Sequence, residues 1–150
     1  MPPDSEYRPL SQLVQAQLKE AGINVAIKPV SGSEWAPMMF AGTINFLPIK
    51  WTQRPDPDGL LSMLLEGTMP TNNVHYKNPE FDALLQKGRA EKDINKRKEI
   101  YSKAQQILGN DLPYVNLMFS VEYEAVQSNI HNFEWIPDII PRYREVWKAH

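Results

Sequence analysis

An apolar run that breaks on two prolines and resumes at helical spacing constrains this chain more than any other stretch. It is Ile49 to Leu65, I-K-W-T-Q-R-P-D-P-D-G-L-L-S-M-L-L. The run reads as a buried strand that ends near Trp51. Asp56 is suited to cap a helix, Pro57 suits the first helical position, and the helix then extends from about Asp56 to Leu65. Asp56 and Asp58 both fall near the positive end of that helix dipole. Two readings stand side by side. Trp51, Arg54, Asp56 and Asp58 can form one wall of a ligand site. Alternatively the segment is a rigid strand-to-helix turn, in which Asp56 caps, Asp58 satisfies the first turn and Arg54 pairs with one of them.

The flanking sequence alternates helical and extended patterns. Leu10, Leu13, Val14, Leu18 and Ala21 recur at helical spacing, and Gly22 follows as a left-handed stop. Val25 and Ile27 alternate with Asn24 and Lys28, which predicts a strand over 23–30 closed by Pro29. Helix, glycine and strand in that order point to an α/β layer. Ser33 opens a short predicted helix that Gly42 ends, with Trp35, Met38 and Met39 read as packing residues. A further strand is predicted over 44–51, at an edge or a bulge because Pro48 lies inside it. Thr71, Asn72 and Asn73 mark a loop.

Beyond the loop the helix signals are stronger. Asn78-Pro79-Glu80 is a cap, a first-position proline and a first-turn acid. Phe81, Leu84, Leu85 and Gly88 share one face of the helix that follows. Asp93 caps the next helix, whose stripe is Ile100, Tyr101, Ala104, Ile107 and Leu108, with Gly109 as its expected end. Lys96-Arg97-Lys98 is cut short by Glu99 and reads as a solvated face. Strands are predicted over 114–119 and 122–126. The tail from Ile130 is aromatic but without a clean period.

Composition removes several classes of function. The chain has 150 residues and a formal net charge of −2, which is enough length for one sizeable core and too little positive charge for a nucleic-acid surface. It has no cysteine, so disulfides, thiolate metal sites and cysteine nucleophiles are excluded. No apolar run approaches the ~18 residues that span a bilayer, so direct membrane insertion is not expected. His75, His131 and His150 have no metal-ligand spacing, and neither a phosphate-binding loop nor a nucleophile elbow is present. No cofactor or metal is expected. The Pro-rich start, M-P-P-D-S-E-Y-R-P, has neither the basic start nor the apolar core of a signal peptide, which leaves two readings: a cytosolic protein, or a piece of a longer secreted one.

Four segments in this order resemble one family. They are L-V-Q-A-Q-L-K-E-A-G-I-N-V, W-T-Q-R-P-D-P-D-G, the long run from N-P-E-F-D-A-L-L to A-Q-Q-I-L, and L-P-Y-V-N-L-M-F. Together they resemble the C-terminal part of the extracytoplasmic solute-binding proteins of peptide-type ABC transporters, the dipeptide, oligopeptide and nickel class. The resemblance implies an α/β fold with a mixed sheet flanked by helices, one lobe of a two-lobed periplasmic-binding-protein-like architecture. Residues 1–128 would be part of the C-terminal ligand-binding lobe. Residues 129–150 would be a tail returning toward an N-terminal lobe, which would lie elsewhere together with a signal sequence. It further implies closure of two lobes on a peptide or small polar ligand, delivery to a membrane permease and a periplasmic or extracytoplasmic location.

The ligand-binding residues expected on that basis are Trp51, Thr52, Arg54, Asp56 and Asn73. In peptide-binding members an aspartate three residues after the tryptophan holds the ligand ammonium. Here that position is Arg54, whose fork suits a carboxylate, a phosphate or a sugar hydroxyl. Two other classes stay in view: a small α/β enzyme using Asp56 and Asp58 as an acid/base pair, and a cytosolic interaction domain.

Overall fold

Among the described residues the helices are α1 (Tyr7–Glu20), α2 (Gly32–Phe40), α3 (Pro57–Leu65), α4 (Pro79–Ala90) and α5 (Ile94–Asp111). The computed structural model describes residues 7–44, 46–52, 54–119, 121, 123–136, 140 and 142–149. The chain divides into two compact units, Met1–Trp51 with Met63–Pro79, and Thr52–Ser62 with Glu80–His150. The division passes through α3, whose last three residues count with the first unit.

In the first unit α1 and α2 end by the same device. Gly22 (φ 81°) and Gly42 (φ 63°) take the left-handed conformation that a Cβ disfavours. The amide of Ile23 donates to Leu18 O at 2.8 Å and that of Thr43 donates to Met38 O at 3.1 Å, the longer loop of a Schellman cap. Gly42 also lies against the His75 imidazole, which an added Cβ would strike. α2 starts at Ser31 rather than at Ser33. The Glu34 carboxylate accepts from the Ser31 amide at 3.0 Å and from its hydroxyl at 2.6 Å, and only Ser31 has an acid three residues downstream to close this box. Met39, Leu64 and Leu65 are buried here, with Trp35 and Met38 half-buried.

The strands expected over 23–30 and 44–51 have no ladder among the described residues. The period of two nevertheless survives in burial: Val25 and Ile27 are half-buried while Asn24, Ala26 and Lys28 are exposed. A strand exists only with a hydrogen-bonding neighbour. Residue 25 instead spends its carbonyl on the Gln15 side-chain amide, which donates to it at 2.6 Å.

In the second unit α4 and α5 are joined by three residues. Both helices start where the sequence puts them. α4 begins at Pro79, and the Asp93 carboxylate accepts from the amides of Asn95 and Lys96 at 3.0 and 2.9 Å. Phe81, Leu85, Ile100, Tyr101 and Ala104 are buried, at spacings of four on α4 and of one and three on α5. α5 does not stop at Gly109. It runs to Asp111, and Leu112 takes the left-handed cap at φ 48°. Pro113 sets that end, since it has no amide for another turn and excludes right-handed helix from the residue before it.

The strands expected over 114–119 and 122–126 also have no partner among the described residues; Ser120 and Glu122 lie outside those residues. Val115, Met118, Phe119, Val121 and Tyr123 are all exposed. The sheet found among the described residues is one short antiparallel ladder in the tail, β1 (Ile130–His131) with β2 (Trp147–Lys148). His131 stacks on Trp147 across it, ring centroids 4.3 Å apart.

Candidate functional site

The expected site residues fall in both units. Trp51 and Asn73 belong to the first; Thr52, Arg54 and Asp56 belong to the second. In the first unit Trp51 is half-buried, and its indole Nε1 is buried without an acceptor among the described residues. A buried donor left without a partner costs about 1–3 kcal/mol, so such atoms gather where something outside the chain segment completes the bond. The loop that carries Asn73 is pinned by its neighbour. Asn72, 6% exposed, accepts from the Tyr76 amide at 3.1 Å and donates to Tyr76 O at 2.7 Å and Glu66 O at 3.4 Å. The Thr71 hydroxyl donates to Met63 O. Asn73 is half-buried within this braced loop, and its amide donates to Thr71 O at 2.9 Å.

In the second unit the turn before α3 is clamped. Asp56 Oδ1 accepts from the Asp58 amide at 2.8 Å, as a helix cap does, and from Arg97 Nη2 at 2.8 Å. The Asp58 carboxylate accepts Arg89 Nε at 3.1 and 3.0 Å through its two oxygens. Arg97 does more than meet Asp56. Its Nε donates to Gly88 O at 3.0 Å, and its guanidinium carbon lies 4.8 Å from the Tyr101 ring centroid. Tyr101 is hydrogen-bonded to Asp58; burial pushes its phenol up, and the Asp58 charge pushes it further.

This arrangement revises two readings of the sequence. Arg97 is not part of a solvated face: Lys96 and Lys98 are exposed, but Arg97 is half-buried and turned onto the α3 turn. Nor does Arg54 pair with Asp56 or Asp58. Those carboxylates are held by α5 and α4, and Arg54 makes no ion pair among the described residues. Its stem lies along the first turn of α3, with Cβ and Cγ 3.5 Å from where a Gly59 Cβ would stand, while the residue as a whole is exposed. Thr52 is half-buried.

Chemically the pair of acids is suited to structure. The hydrogen bond from Arg97 holds the Asp56 carboxyl below the usual range; desolvation opposes it, and the Asp58 amide and the Arg97 charge add smaller lowering effects. A general acid needs the opposite shift, which counts against an acid/base role for Asp56. Because the folded-state value is depressed, the stabilisation from this pair is complete above the unfolded value near 3.8 and fades as pH falls through the folded value. The Asp56→Asn variant, which can still cap α3, is therefore expected to melt slightly below wild type at pH 7. Solvent screening limits the difference to about 1 kcal/mol or less, and it should close as pH falls through the depressed folded-state value. A gap that widens on acidification would contradict the assignment.

Among the described residues no three histidine, aspartate or glutamate side chains are grouped to hold a metal. No helix among them is long and apolar enough to cross a membrane. His150 lies outside the described residues.

No protein-family model matches the sequence. Known proteins do. The chain is 32% identical over 124 residues to the peptide transport periplasmic protein SapA of Salmonella typhimurium strain LT2, a match that covers 80% of this chain and 23% of SapA. It is 27% identical over 144 residues to di/tripeptide-binding protein 3 of Pseudomonas aeruginosa strain UCBPP-PA14, covering 91% of this chain and 27% of that protein. The chain thus spans about a quarter of the length of these relatives. Among solved structures it matches the dipeptide-binding protein of Pseudoalteromonas sp. SM9913 in complex with Met-Leu, with a TM-score of 0.84 and 26% identity over 95% of this chain and 29% of that one. Its helices and small sheet therefore have the fold of a lobe segment from such proteins. Sequence over most of the length and fold together place this chain among the homologues of the periplasmic peptide-binding proteins of ABC transporters.

Proposed function

We propose that this chain supplies part of a ligand-binding lobe of a solute-binding protein that captures peptides or related small polar solutes outside the cytoplasm. The captured solute is handed to the permease of an ABC importer. The observation that carries this reading is the match to SapA across four-fifths of the chain, supported by the fold shared with a dipeptide-bound protein. Capture proceeds by closure of two lobes about a hinge, a motion common to binding proteins of this architecture. Trp51 offers an aromatic face and an indole N–H that has no acceptor among the described residues. Arg54 offers an exposed cation, and Thr52 and Asn73 are secondary contacts, while the Asp56 carboxylate is taken up by Arg97. No cofactor and no catalytic step enter.

The test is isothermal titration calorimetry of the full-length protein against short peptides. Trp51→Ala and Arg54→Ala are each expected to weaken binding about 10-fold, equivalent to ~1.4 kcal/mol. If both variants bind as tightly as wild type, the site lies elsewhere.

A further inference from the structure

The charges around the α3 turn are matched in pairs, with one left over. Asp56 is held by Arg97 and Asp58 by Arg89, the arginines coming from α5 and α4. Arg54, two residues before Asp56 and four before Asp58, would meet either carboxylate if α4 and α5 did not hold them. It stays exposed, with its stem against Gly59. A cation beside a helix N-terminus also faces the positive end of the dipole, so nothing local in α3 neutralises it. Net charge over these five groups is +1, and it sits on Arg54.

From this geometry we infer that Arg97 and Arg89 are positioning residues. They sequester the two turn carboxylates so that Arg54 remains available to receive a carboxylate of the bound peptide. This rests on the reading above that the turn faces ligand. It goes further by assigning the recognised group as an anion and by giving a role to two arginines on other helices. Specificity here works by subtraction, since an arginine already paired to an internal acid would lose most of its preference for an external one. Of the two clamps Arg97 is the more informative, because it also braces Gly88 O and the Tyr101 ring and so fixes where Asp56 is held.

The test uses the full-length protein, with trialanine, trialanine amide and Ala-Asp-Ala amide as probes in calorimetry. Wild type is expected to prefer trialanine over its amide by about 10-fold, equivalent to ~1.4 kcal/mol. Arg97→Gln should shrink that ratio to about 3-fold or less by letting Asp56 turn to Arg54. Asp56→Asn in the Arg97→Gln background should restore the ratio, which a merely structural role of Arg97 would not produce. Ala-Asp-Ala amide binding as tightly as trialanine would assign the anion to a side chain rather than the C-terminus, and either source supports the inference. An unchanged ratio in Arg97→Gln, or no recovery in the double variant, overturns it.

A crystal structure of full-length Arg97→Gln reads the clamp without ligand. The Arg54 guanidinium should lie within hydrogen-bonding distance of Asp56, and an Arg54 that stays apart from it refutes sequestration. Should no probe bind wild type, peptide capture fails while this structure still decides the clamp. If Arg97→Gln does not fold, Arg89→Gln gives the same two readouts through Asp58.

Discussion

Phe81→Ala is expected to destabilise the second unit by about 3–5 kcal/mol, the range for removing a fully buried aromatic ring. Phe81 has no exposed surface, and neither has Leu85 one turn later on the same face of α4. Truncation leaves a cavity that the surrounding helices can close only in part. The cost is therefore the transfer energy of the ring plus the cavity that remains. Denaturant unfolding should show a lower midpoint with an unchanged slope, since the exposed surface of the unfolded chain hardly differs. Ile94→Ala is the control: Ile94 is 80% exposed at the start of α5, and its loss should change stability by no more than about 0.5 kcal/mol. A Phe81→Ala cost as small as the control's would mean that the α4 face is not a core.

The second large effect is Gly88→Ala, where helix propensity and packing pull in opposite directions. Replacing a mid-helix glycine by alanine gains about 1 kcal/mol where nothing opposes it. At Gly88 the added Cβ would stand 2.8 Å from Cε2 and Cζ of the Tyr101 ring and 3.0 Å from its hydroxyl. The ring has little room to withdraw. It is 4% exposed, the Arg97 guanidinium lies over it, and its hydroxyl is bonded to Asp58. Overpacking of this kind costs about 1–3 kcal/mol and, around such a confined ring, should outweigh the propensity gain, giving a net loss of about 1 kcal/mol. Gly109→Ala offers the reverse sign, because nothing lies within 4 Å of its Cβ position and α5 continues past it. Two identical substitutions in adjacent helices should thus shift the melting temperature in opposite directions. If both stabilise, α4 and α5 do not meet as closely as described.

The helices were legible because their signals are local. Asn78-Pro79 and Asp93 are caps within one turn of the residues they serve, and the stripes on α4 and α5 repeat within two turns. Errors arose where two local signals competed. Ser31 and Ser33 are both good caps, and only the spacing to Glu34 separates them. Gly109 and Pro113 are both stops, and the proline prevailed because it removes an amide outright. The strands were legible as patterns and not as pairs: Val25 and Ile27 keep their alternation, but a ladder depends on a neighbour that local sequence does not specify. In the candidate site, Trp51 and the Asp56 cap could be read from their own surroundings. The partners of Asp56 and Asp58 could not. They lie 41 and 31 residues further along, and Arg97 was concealed between two exposed lysines.

Those separations carry a consequence for how the unit assembles. α4 and α5 are joined by three residues, so their contacts close a short loop and form early, at small entropic cost. The two ion pairs that fasten the α3 turn close far longer loops and come late on the folding path. What docks last on a native-like scaffold also detaches first under native conditions, as a sub-global opening that leaves the α4–α5 hairpin intact. The turn bearing Arg54 is thereby a latch on that hairpin, expected to open before the two helices part.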